Sequence, residues 1–157
     1  MKSTQKLRPA IWLATILAIF AFACPAFADA CDDLAAQLKG QIDGLSVGKT
    51  AANVIYLSHP GAKDLRLGCV SRRVSNELLA TSEARKPRPE FLALVAKASA
   101  VVFTVPLDDM LKGTSRCISR MGILRGDDIK MRFRRLDLHC TRTKTSATIS
   151  ISRAKDQ

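Results

Sequence analysis

Asp137 and His139 lie two residues apart in a stretch that alternates apolar and polar side chains. On an extended chain residues at i and i+2 share a face, so a carboxylate and an imidazole stand on the same side of a strand. That is the least that general acid-base chemistry needs. The separation along a strand is about 7 Å, however, which is long for a direct hydrogen bond. His59 sits in a Ser-His-Pro-Gly turn and reads as an exposed turn residue. The pairs Asp32-Asp33 and Asp108-Asp109 open helices, where negative charge complements the helix dipole. The chain holds no G-x-S-x-G elbow, H-E-x-x-H zinc motif, phosphate loop or dinucleotide fingerprint. The expectation is a protein that is not an enzyme and uses no cofactor or metal.

The five cysteines carry a different chemistry. Residues 1–28 have the layout of a cleaved secretory signal: Lys2, Lys6 and Arg8, an apolar run from Ile11 to Cys24, and Ala26-Phe27-Ala28 as a small-x-small site. The run is shorter than the roughly 20 residues that span a bilayer, so no transmembrane segment is expected in the mature chain. Bulky Phe22 also argues against lipid anchoring at Cys24. Cleavage leaves residues 29–157 as one domain, exported to a periplasm or secreted, with Cys31, Cys69, Cys117 and Cys140. An even count in an exported chain implies two disulfides. A four-thiolate zinc site is the alternative, but such sites bring their ligands in close pairs, and these are 38, 48 and 23 residues apart. Of the three possible pairings, Cys31 with Cys69 and Cys117 with Cys140 are favoured, because each ties a helix to a following strand within one half of the chain.

Charge points to a partner. The formal net charge is +11, and losing the three cations of residues 1–28 leaves +8. From Asp29 to Leu111 ten basic residues face ten acidic ones, whereas from Lys112 to Lys155 twelve face three. The whole excess lies in the last third, which suggests an anionic partner. Single-stranded nucleic acid is not expected, since Trp12 leaves with the signal and Phe91, Phe103 and Phe133 fall at core positions, so no stacking platform remains.

The elements that must position these residues can be read from periodicity. Leu34, Leu38 and Ile42 mark a helix ended by Gly44. Ala52–Leu57 and Leu65–Cys69 read as strands, and Glu77–Ser82 as a weaker strand. After a Pro87-Arg88-Pro89 break, Phe91–Phe103 is apolar nearly all round, as in a buried helix. Pro106 then opens a helix with Leu107, Met110, Leu111, Thr114, Ile118 and Met121 on one face and Lys112, Arg116 and Arg120 four apart on another. Ile129–Arg153 alternates as a hairpin. Met131, Phe133, Leu136, Leu138, Ala147, Ile149 and Ile151 face the core, while Lys130, Arg132 and Arg134 face out with Thr148, Ser150 and Ser152. The alternation slips at Arg134-Arg135, which reads as a β-bulge. Leu65-Arg-Leu-Gly-Cys69 resembles Leu136-Asp-Leu-His-Cys140, a faint internal repeat.

These readings predict an α+β domain with one antiparallel sheet of about four to five strands, two to three helices on one face, two disulfides and pseudo-repeated helix-plus-hairpin halves. The expected function is binding of an envelope polymer, a lipid headgroup or an acidic protein through Lys112, Arg116, Arg120, Lys130, Arg132, Arg134 and Arg135. An exported hydrolase using Asp137 and His139, or an inhibitor that blocks a partner enzyme, is the alternative.

Overall fold

The computed structural model describes residues 26–69, 75–122 and 125–153. The apolar run from Ile11 to Cys24 lies outside the described residues. Among the described residues the chain forms α1 (Ala26–Gln41), β1 (Ser46–Ala51), β2 (Val54–Ser58), β3 (Asp64–Gly68), β4 (Glu77–Ser82), α2 (Pro89–Phe103), α3 (Leu107–Arg120), β5 (Asp128–Phe133), β6 (Leu136–Arg142) and β7 (Ala147–Arg153). The strands make one antiparallel sheet in the order β1-β2-β3-β4-β7-β6-β5. Helix α1 already begins at Ala26, so Asp32 and Asp33, expected to open the helix, stand about two turns inside it.

The α+β class and the single antiparallel sheet are as expected, but the sheet has seven strands rather than four or five. One addition is β1, which is exposed throughout and lacks the apolar alternation that marks a strand in sequence. The other comes from Ile129–Arg142, which folds as two strands. Arg134 and Arg135 both have positive φ, 51° and 61°, and Phe133 pairs with Leu136. The expected β-bulge is therefore a two-residue hairpin turn, since two consecutive left-handed residues reverse the chain with the twist that antiparallel strands need. Glu77–Ser82, the weakest strand in sequence, is β4 at the sheet centre, with Leu78 and Ala80 fully buried.

All three helices lie over one face of the sheet, where α1 meets β1, α2 meets β4, and α3 meets β5 and β6. Ile55, Leu57, Leu65, Leu67, Leu78, Leu138, Cys140, Ile149 and Ile151 are buried beneath them. Each such aliphatic side chain contributes roughly 1.5–3 kcal/mol by leaving water. Helix α2 is buried as its composition requires, with Phe91, Leu94, Val95, Val102 and Phe103 in the core and Lys97 exposed. Ser99 is tolerated inside because its hydroxyl donates to the Val95 carbonyl at 2.6 Å.

Cys31 is bonded to Cys69 and Cys117 to Cys140, with Cα separations of 5.7 and 6.1 Å. Each bridge ties a helix to the end or the body of a strand, and the two are placed alike. Leu67 pairs with Leu78, Leu78 with Ile151, and Ile151 with Leu138. The apolar row Ile55, Leu67, Leu78, Ile151, Leu138, Met131 thus runs across six strands with the Leu78–Ile151 pair at its centre and Leu67 and Leu138 at matching places on either side. The halves are a cysteine-bearing helix plus a three-strand meander rather than a helix plus a hairpin, and β1 is an extra strand outside the correspondence.

Candidate anion-binding surface

Helix α3 is strongly amphipathic. It buries Met110, Gly113, Thr114, Cys117 and Ile118, and the Cys117–Cys140 bridge fixes that face over β6. Lys112, Arg116 and Arg120 stand on the next stripe, all exposed, and two helical turns separate the first from the last, about 12 Å. No carboxylate among the described residues pairs with any of the three. Which way the stripe points is settled by Phe133 at the end of β5. The Arg116 guanidinium lies over the Phe133 ring, 5.8 Å from its centroid, and the same ring packs on Gly113. The stripe therefore runs along the β5 margin of the domain.

The turn after β5 adds Arg134 and Arg135, both exposed. Arg134 reaches Asp109 in the first turn of α3, at 3.4 Å. Asp109 sits one turn before Lys112 and Gly113, so the turn and the stripe are neighbours. Both arginines hold left-handed backbone, which for a residue with a Cβ costs about 1–2 kcal/mol.

Lys130 and Arg132 lie elsewhere. Ile129, Met131 and Phe133 of β5 turn toward the helices, so the alternate residues turn to the uncovered face of the sheet. There Lys130 pairs across from His139, and Arg132 from Asp137. A shallow depression of about 450 Å³ is lined by Lys130, Arg132, Asp137, His139, Ser150 and Ser152. The seven candidate cations, which sequence did not assign to a single patch, are thus divided by β5: five on its helix side and turn, two on the other face.

Asp137 and His139 share that open face, as their spacing required, but they are not bonded to each other. His139 Nε2 meets Asp128 Oδ1 at 2.9 Å, across the β5–β6 pair and diagonal to its strand partner. The hydroxyls next to His139 are engaged: Ser150 donates to Glu77, and Thr148 shares a hydrogen bond with Thr81 at 3.1 Å. Farther along the same face Lys49 and Arg66 flank the Tyr56 ring, at 5.4 and 5.2 Å. Arg66 is held by Asp64 at 2.8 Å, and that hydrogen bond and charge raise its pKa above the ordinary value.

Not all of the basic excess is available to a ligand. Arg142 donates to the Ile118 carbonyl and Arg153 to the Phe103 carbonyl, so each closes the C-terminal end of a helix. Arg85 holds Asp127 at 3.0 Å and also donates to the Thr143 carbonyl. Sequence reasoning missed the part played by Asp109 and Phe133. A phenylalanine three residues after Lys130 on the core face was visible, but only the fold brings α3 onto it. Among the described residues no group of three or more His, Cys, Asp or Glu is arranged to hold a metal ion, and no helix is long and apolar enough to cross a membrane. No family model, curated protein or solved structure matches the chain.

Proposed function

We propose that this is a small exported protein that works by binding rather than by turnover, and that the β5 margin of the domain receives an anionic partner. The observation that carries the reading is the row Lys112, Arg116, Arg120 on α3, exposed and without a carboxylate partner among the described residues, continued by Arg134 and Arg135 in the adjoining turn. Guanidinium groups grip carboxylates and phosphates through paired hydrogen bonds, which makes such a row suited to an acidic polymer, a lipid headgroup or an acidic protein surface. Arginines at two successive left-handed positions support the same reading. Asn-Gly or Gly-Gly suits such a turn better, and residues kept at a conformational cost are commonly kept for contact with something else.

Binding without catalysis is supported by the pairing on the open face, where His139 holds Asp128 instead of Asp137 and the neighbouring Ser150 hydroxyl is given to Glu77. The test is a salt titration of binding to soluble polyglutamate and to vesicles containing phosphatidylglycerol. Replacing Lys112, Arg116 and Arg120 together by Gln is expected to lower affinity by at least about tenfold at low salt and to flatten the salt dependence. Binding that ignores both salt and the triple substitution would rule out this surface.

A further inference from the structure

Away from the basic margin, α1 and α2 leave a groove of about 500 Å³ between them. Its floor is apolar, made by Ile42 just past α1 and by Ala100 and Val101 of α2. Gln37 and Gln41 stand four apart on α1 and line one wall. Lys97 of α2 and Thr104 at the end of that helix line the other, and Leu107, the first residue of α3, lies at one end. An apolar floor with a few polar groups around it is the form that small-molecule sites take, and the volume falls in their range.

Three features single the groove out. Leu107 is 39% exposed, and among the described residues only Val47 is a comparably exposed large apolar side chain. Lys97 is the one charged side chain lining the groove, and no carboxylate among the described residues pairs with it. Thr104 has left-handed backbone, φ 54° and ψ 51°, and its N–H donates to the Ala100 carbonyl. Glycine is the usual residue at such a helix end, and a β-branched side chain there is strained. Glycine would also leave that wall of the groove without a side chain. A strained residue that lines a cavity points to contact with a ligand.

The geometry points to a binding site for an aliphatic carboxylate, an acyl chain of medium length that ends in one anionic group. Lys97 receives the carboxylate through a charge-assisted hydrogen bond, and the amides of Gln37 and Gln41 supply further donors from the facing wall. The chain lies over Ile42, Ala100 and Val101 toward Leu107. The helices set this direction. Lys97 stands nearly two turns before the end of α2, whereas the Leu107 end of the groove meets the C-terminal ends of α1 and α2. Partial negative charge there disfavours an anion and leaves an apolar tail unaffected. The site is separate from the cationic row, since none of Lys112, Arg116 and Arg120 lines it.

The test follows the amide resonances of the full oxidised chain by NMR during titration with octanoate. Shifts should cluster on the α1 and α2 residues of the groove, and affinity should rise about two- to fourfold per methylene from butanoate to octanoate. Octylammonium, with a similar chain and the opposite charge, should bind at least about tenfold more weakly. Lys97→Gln should weaken octanoate by at least about fivefold, whereas replacing Lys112, Arg116 and Arg120 together by Gln should leave it within about twofold. Thr104→Gly should raise the thermal unfolding midpoint by about 3–6 °C and yet weaken octanoate several-fold, a combination that a purely structural residue would not give. Equal binding of octanoate and octylammonium, indifference to chain length, or shifts confined to the cationic row would overturn the proposal. Groove shifts that follow protein concentration instead of octanoate would overturn it too, and would make the groove an interface between copies.

Discussion

Gly113 is where the geometry of the cationic margin can be tested most sharply, because two effects of opposite sign meet there. A Cβ built on Gly113 stands 2.9 Å from Cδ1 of the Phe133 ring, 3.2 Å from Cε1 and 3.4 Å from Cγ. In the interior of a helix Ala is ordinarily better than Gly by about 1 kcal/mol. Forcing a methyl group against a packed ring costs about 1–3 kcal/mol. The contact involves the body of the ring rather than a flexible tip, so the second effect is expected to win, and Gly113→Ala should destabilise the protein by about 1 kcal/mol. In a Phe133→Ala background the obstacle is gone, and the same substitution should stabilise by about 1 kcal/mol. The difference, a coupling of about 2 kcal/mol, is large enough to read from urea unfolding of the four proteins followed by circular dichroism. Because Arg116 lies over the same ring, Gly113→Ala should also weaken polyanion binding modestly. If Gly113→Ala stabilises equally in both backgrounds, α3 does not rest on β5 through Phe133, and the placement of the cationic row along that margin is wrong.

Two further expectations concern the covalent and backbone framework. Loop-closure entropy gives about 3.4 kcal/mol for the bridge spanning 23 residues and about 3.9 kcal/mol for the one spanning 38, so replacing Cys117 and Cys140 by Ser should cost slightly less than replacing Cys31 and Cys69. Unfolding midpoints of the two double variants check the order, and mass mapping of cross-linked peptides checks the pairing. Replacing Arg134 by Asn and Arg135 by Gly should raise stability by about 1 kcal/mol by relieving left-handed strain while lowering affinity for polyglutamate several-fold. A variant with unchanged stability would deny the strain, and one with unchanged affinity would deny the turn a part in binding.

The amino-acid pattern by itself determined the α+β class, the buried character of α2, the two-faced character of α3 and the concentration of positive charge in the last third. Each of these follows from local periodicity or composition, which survive without knowledge of distant contacts. The pairing of Cys31 with Cys69 and Cys117 with Cys140 was also legible, because each bridge ties a helix to a following strand within one half of the chain. The strand count was not. β1 has no apolar face to reveal it, and the Arg134-Arg135 reversal depends on the sign of φ, which two arginines do not advertise. Only the tertiary structure decided that His139 meets Asp128, that Arg116 rests on Phe133, and that Lys130 and Arg132 stand on the face of β5 opposite the helix-borne basic residues. Those relations are set by register between strands and by which helix lies over which edge, and a one-residue slip of β5 would leave the pattern of hydrophobic and charged residues unaltered while turning Lys130 and Arg132 to the other face of the sheet.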